Sequence, residues 1–113
     1  MTESTSSRLL AADVARCRLT HRPDPRVVHG TPTTANRVLG MVGDVEVGVW
    51  EITEGAVRDT EVDEIFVVLS GTGRVEFENG EAVDLAPGVV VRLHAGEQTT
   101  WTITNTLRKI WVA

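Results

Sequence analysis

Tyrosine is missing from this chain of 113 residues, which has two phenylalanines, three tryptophans and one cysteine. A core with so few rings has to be filled by Val, Leu, Ala and Ile, the bulk of a 42% hydrophobic content, and valine-rich stock of this kind favours strands. The lone Cys17 excludes an intrachain disulfide and a multi-cysteine metal site, and reads as a small buried filler in a reducing, cytoplasmic setting. Positive charge is also short: 11 basic against 16 acidic residues leave a formal charge of -5, which argues against a nucleic-acid partner. No stretch approaches the roughly 20 apolar residues of a membrane-crossing helix, and the polar residues 1–7 precede no signal-peptide core. The expectation is one soluble domain, since this length supports a single core and not two.

Turn residues punctuate what is present. Residues 1–7 are rich in hydroxyls and are expected to be a flexible N-terminus. Residues 8–36 read as a short helix and an arm: Leu9, Leu10, Ala12 and Val14 allow a helix over 9–17, and Pro23, Pro25, Gly30 and Pro32 then interrupt the chain around Val27 and Val28. Residues 37–113 read as the barrel, with extended segments at 37–41, 45–53, 65–69, 73–78, 81–85, 89–93, 99–104 and 108–112. Asn79-Gly80 predicts a tight hairpin, Pro87-Gly88 a second turn and Gly71-Thr72-Gly73 a third. Val75 and Phe77 alternate with Arg74, Glu76 and Glu78, as on a half-exposed strand, whereas Ile65-Phe66-Val67-Val68-Leu69 is apolar on both faces and needs a second cover. That cover is the arm or another subunit, and a homodimer is expected. Many short strands at these intervals indicate an all-β sandwich or barrel.

Several residues are spaced as in a cupin. Glu64 is followed after six residues by Gly71, Gly55 stands where the first cupin motif opens, and His94-Ala95-Gly96 stands at the Pro-x-Gly of the second motif. Together with Val47-Gly48-Val49-Trp50-Glu51, Asp63, Leu69-Ser70, Ala86-Pro87-Gly88, Thr100-Trp101 and Arg108-Lys109, these resemble the small single-domain, RmlC-like cupins grouped with (S)-ureidoglycine aminohydrolase. The resemblance implies a double-stranded β-helix, or jelly-roll barrel, with a ligand cavity inside. The usual motif histidines are absent. Counting back from Glu64 puts Arg58 and Thr60 in their places, counting forward from Gly55 puts Glu61 and Asp63 there, and Thr99 stands at the histidine of the second motif. By resemblance a manganese site would use mixed ligands; here only Glu64, with Gln98 one register step from Thr99, offers itself, so no cofactor is expected and Mn²⁺ is the alternative.

Read by strand parity, Glu64 shares a face with Phe66 and Val68, and Lys109 shares one with Leu107 and Trp111. Glu64 is then either a carboxylate at a cavity mouth or a surface group at a strand start. Lys109 either enters the barrel, where its ammonium needs an anionic or carbonyl partner, or snorkels to water. They are the candidate acid-base pair. Trp101, with Trp50 and Trp111, either fills the core or walls a pocket that Gln98 borders. His94, His21 and His29 read as loop and arm histidines, and no imidazole has a Ser or Cys partner for a nucleophilic triad. The expected function is a cupin that binds, and in the enzymatic reading transforms, a small polar metabolite carrying a ureido, amide or carboxylate group. The alternative is a non-catalytic ligand sensor or a dimeric structural cupin that has lost its metal site.

Overall fold

A computed structural model describes residues 8–113, so the expectation for residues 1–7 lies outside the described residues. Among the described residues the architecture is all-β, with nine strands: β1 (Arg22–Pro23), β2 (Val27–His29), β3 (Thr33–Val42), β4 (Val45–Ile52), β5 (Gly55–Thr60), β6 (Glu64–Phe77), β7 (Ala82–Leu85), β8 (Val90–Leu93) and β9 (Gln98–Val112). Two long strands form the spine of the curled sheet. β9 pairs along its length with β6, while its other edge pairs with β5 through residues 98–103 and with β4 through residues 107–112. β3 and β1 extend the sheet beyond β4, β2 lies beyond β5, and β7 and β8 pair with the two ends of β6. The result is the jelly-roll barrel expected of a cupin.

The two apolar segments at 65–69 and 73–78 prove to be one strand, and so do 99–104 and 108–112. The expected hairpin at Gly71-Thr72-Gly73 is instead a set of bulges within β6, where the pairing with β9 shifts between Val68 and Gly73. A physical need explains them. Glu64, Phe66 and Val68 turn inward at even positions and Val75 at an odd one, so an extra residue must be absorbed for both halves to share one interior. Gly71 adopts φ +89° at this point, and a Cβ here would run into the Thr106 carbonyl and Leu107 Cα. Glycine punctuation in a sequence marks bulges and turns alike.

The hairpin at Asn79-Gly80 forms, with a wider turn than expected. Glycine 80 alone takes a positive φ, +91°, its N–H bonds the Phe77 carbonyl at 2.9 Å, and Phe77 N–H bonds the Glu81 carbonyl at 2.8 Å. Pro87-Gly88 forms its turn too, closed by a bond from Val89 N–H to the Ala86 carbonyl. β5 carries only two apolar residues and was not expected as a strand. No helix forms among the described residues: residues 9–17 contain a single turn, and the Val14 and Cys17 carbonyls accept hydrogen bonds from the Arg108 guanidinium. This segment therefore lies on the outer face of its own barrel, where Val49 is fully buried and Leu10 approaches Gly40.

The interior is filled by Ile52, Val57, Phe66, Val68, Val75, Leu85, Val91, Leu93, Trp101, Ile103, Leu107 and Trp111. No helix is long and apolar enough to cross a membrane among the described residues. Replacing Gly71 with Ala forces a side chain into the β9 backbone at a left-handed φ, and is expected to cost at least about 3 kcal/mol of stability. Denaturant melts of Gly71→Ala against wild type check this; equal midpoints would show that β6 does not bend here.

Candidate functional site

At one end of the barrel a cavity of 270 Å³ is lined by Trp50, Trp101, Trp111, Lys109 and a group of acidic residues. Lys109 is the only lysine of the sequence, and it is 5% exposed. Register places it there: in β9 it stands opposite Trp50 of β4 on one side and Val68 of β6 on the other. Its Nζ donates to Glu64 Oε2 at 2.6 Å. Phe66, Trp50 and Trp101 close around the ammonium, with ring centroids 4.3, 4.8 and 4.9 Å from Nζ. The ring faces offer it electron density where water is excluded. Burial holds the Lys109 pKa below the ordinary lysine value, and the charge and hydrogen bond of Glu64, then the charges of Glu61 and Asp59, work against that shift.

A second carboxylate, Glu61, is 6% exposed. Its backbone is fixed by bonds in both directions to the turn at residues 94–97: Glu61 N–H to the Glu97 carbonyl and Gly96 N–H to the Glu61 carbonyl. Its Oε2 accepts the Thr99 hydroxyl at 2.6 Å and the Trp101 indole N–H at 3.0 Å. Glu61 and Thr99 are the residues that forward counting from Gly55 and the second motif put at histidine positions, and here they bond to each other. Asp59, also on the cavity wall, has its carboxyl pushed above the ordinary value by burial and then by the Glu61 charge.

Glu64, Lys109, Trp50, Trp101 and Trp111 thus line one cavity. Trp50 and Trp101 meet edge to face at 5.5 Å, and Trp111 donates its N–H to Asn36 Oδ1 at 2.8 Å. Gln98 goes elsewhere. The alternation of β9 turns Thr99 inward and Gln98 outward, where its side-chain oxygen accepts the Thr60 hydroxyl in a groove with Arg58, Glu76 and Glu78. Gln98 and Glu64, the two ligands offered above for Mn²⁺, therefore do not meet in this arrangement. His94 and His29 are exposed. Among the described residues no three His, Cys, Asp or Glu side chains are grouped to hold a metal ion, and the Glu64 carboxylate is engaged by an ammonium; these donors do not fit Mn²⁺.

The neighbour of Lys109 serves the opposite face. Arg108 bonds Glu51 Oε2 at 2.9 Å, and His21 bonds the other oxygen of Glu51 at 2.7 Å and Thr33 at 2.9 Å. Burial alone would raise the Glu51 pKa, but the hydrogen bonds from Arg108 and His21 and their charges hold it below the ordinary value. Parity placed Glu64 and Lys109 on inward faces, Glu61 entered only through the count from Gly55, and Asp59 was not singled out; the two-residue spacing of Asp59 and Glu61 was the available signal.

Fold and site together define a cupin-type jelly roll whose cavity is organised by an internal ion pair. The model of the EutQ-like cupin domain matches residues 39–111, and the chain belongs to that family. No curated protein matches it in sequence. Among solved structures it is similar to the EutQ protein of Clostridium difficile, at 21% identity and a TM-score of 0.63 over 72% of this chain and 67% of that one. A protein of unknown function from Pseudomonas syringae pv. tomato gives 23% and 0.72 over 85% of this chain and 44% of that one. Ectoine synthase from P. lautus gives 20% and 0.62 over 70% and 62%. At such identities the likeness shows the fold alone.

Removing Lys109 while keeping Glu64 strands a carboxylate in the cavity, so Lys109→Met is expected to lose about 3 to 5 kcal/mol of stability. Adding Glu64→Gln is expected to recover much of that loss. Denaturant melts of both single variants and the double variant measure the coupling; additive losses would mean that the pair is not formed in solution.

Proposed function

We propose that this chain binds a small polar metabolite in the cavity beside Lys109 and Glu64. The supporting observation is the Lys109 ammonium held 2.6 Å from Glu64 under tryptophan walls, at the edge of a cavity of 270 Å³. A volume just below the roughly 300 to 1,000 Å³ usual for ligand pockets suits a metabolite of few atoms. Groups of this kind recognise ureido, amide or carboxylate functions, Lys109 as donor and Glu64 as acceptor of N–H. In the enzymatic form of the reading, the depressed Lys109 and its partner Glu64 exchange a proton with the ligand. The ureidoglycine-aminohydrolase-like residues named above add ureas to the compounds worth testing.

A panel of small ureas, amides and carboxylates, followed by tryptophan fluorescence and calorimetric titration, tests the reading. At least one compound is expected to bind saturably, and Trp50→Ala to weaken it by about tenfold or more, equivalent to about 1.4 kcal/mol. Gln98→Ala, on the outer face, is expected to leave affinity unchanged. Binding that depends on Gln98 and ignores Trp50 would put the ligand in the wrong place.

The second reading is a non-catalytic dimeric cupin, and one observation favours it. Ile65, Val90 and Val112 are 41%, 63% and 39% exposed on three adjacent strands, on the face that the N-terminal segment leaves uncovered. A homodimer through this face is expected, with Ile65→Glu yielding a monomer. Light scattering over a range of concentrations decides: a wild-type monomer throughout would end this proposal.

A further inference from the structure

We infer that the cavity selects a small organic cation, with a primary ammonium group seated between Glu61 and Asp59 and its carbon body against Trp50 and Trp111. The inference rests on the cavity being a ligand site, and it puts a cationic group in place of the ureido, amide and carboxylate groups that Lys109 and Glu64 would recognise. Its first ground is charge. Four carboxylates line the cavity, those of Glu46, Asp59, Glu61 and Glu64, and Lys109 is the only cation among them. That cation is already engaged: Glu64 takes its hydrogen bond and three rings cover its other sides. With Lys109 and Glu64 cancelling each other, the remaining lining is acidic. An anion would have to take the ammonium from Glu64 and then lie beside like charges in a site of low dielectric.

The second ground is independent of that count. Glu61 is 6% exposed, and its Oε2 takes both available donors, the Thr99 hydroxyl and the Trp101 N–H. Among the described residues Oε1 of the same carboxylate has no hydrogen-bond partner. No fully buried side-chain oxygen is unsatisfied among the described residues, so this atom keeps some exposure, and Glu61 is one of the residues that line the cavity. Nearby Asp59 has one oxygen bonded by Thr60 N–H at 2.9 Å and Arg26 only at 3.8 Å. The burial and like charge that raise the Asp59 pKa are what an ammonium between the two carboxylates would relieve. An ammonium brings three donors and no acceptor, which matches the carboxylate oxygens of this wall; the one unpartnered donor in the lining is the Asn36 amide nitrogen, whose oxygen already accepts the Trp111 N–H.

Three probes of one size separate the possibilities on the full chain: butylammonium, butyrate and butyramide, titrated by calorimetry with tryptophan fluorescence as a second signal. Butylammonium is expected to bind at least about tenfold more tightly than either of the others. Asp59→Asn and Glu61→Gln are each expected to weaken it by about fivefold or more. If Glu61→Gln fails to fold, Asp59→Asn at the cavity rim carries the comparison. Butyrate or butyramide binding as tightly as butylammonium, with the binding lost in Trp50→Ala, would overturn the cation assignment and leave the ligand site standing. Unchanged ammonium affinity in Asp59→Asn would overturn it as well. No response to any probe, in protein that also ignores the ureas, amides and carboxylates, would overturn both.

Discussion

An ammonium inside an aliphatic barrel is the constraint on which the cavity end of this protein depends. Taking such a charge out of water costs several kcal/mol even after relaxation, and the cost is offset only when a counter-charge and further favourable contacts are in place. Each neighbouring strand supplies one of them: β6 brings Glu64 and Phe66, β4 brings Trp50, and β9 brings Trp101 as well as Lys109 itself. The scarcity of aromatics in the chain is thus local in its effect, since three of the five rings surround one nitrogen.

That arrangement also pins the register of the longest strand. Arg108 and Lys109 are consecutive, buried, and directed to opposite faces of β9, each with its own carboxylate: Glu51 on the outer side and Glu64 on the inner. Across the ladder the same alternation is met by Glu51 opposite Arg108 and Trp50 opposite Lys109. A slip of one residue would turn the guanidinium into the aromatic box and the ammonium toward the carbonyls of Val14 and Cys17. Two ion pairs of different geometry therefore specify one register, and the outer pair also fastens the N-terminal segment. Arg suits the outer place, where its fork reaches a carboxylate and two carbonyls at once; Lys suits the inner one, a compact charge among rings.

Much of this was legible because strand parity is a strict rule. Glu64 with Phe66, and Lys109 with Trp111, could be put on shared faces from their spacing alone, and the Asn79-Gly80 and Pro87-Gly88 turns were marked by residues with few other uses. Three things were not legible. Gly71-Thr72-Gly73 looks the same whether the chain reverses or bulges, and only the demand that Val68 and Val75 face one interior decides. The segment 9–17 has the composition of a short helix, but tertiary bonds to Arg108 outweigh a weak local propensity. Gln98 beside Thr99 looked like a ligand one register step away, and in a strand one step is the opposite face. The sharpest unused signal was the solitary lysine: a chain with ten arginines and one lysine places a different demand on that position.

The cupin resemblance predicted the fold, and the family positions lie beside the cavity. The positions at which the family motifs carry histidines are filled by Glu61 and Thr99, and these close on each other and on Trp101. The positive charge in this cavity is supplied from within, by Lys109. A fixed internal cation differs from a metal in one consequential respect: it has no open coordination position for a ligand. On the proposed reading a ligand would meet the atoms that the network leaves free, which are carboxylate oxygens, the Asn36 amide nitrogen and indole faces. The balance that keeps the barrel folded and the preference of the cavity for its occupant are on this view the same electrostatic arrangement.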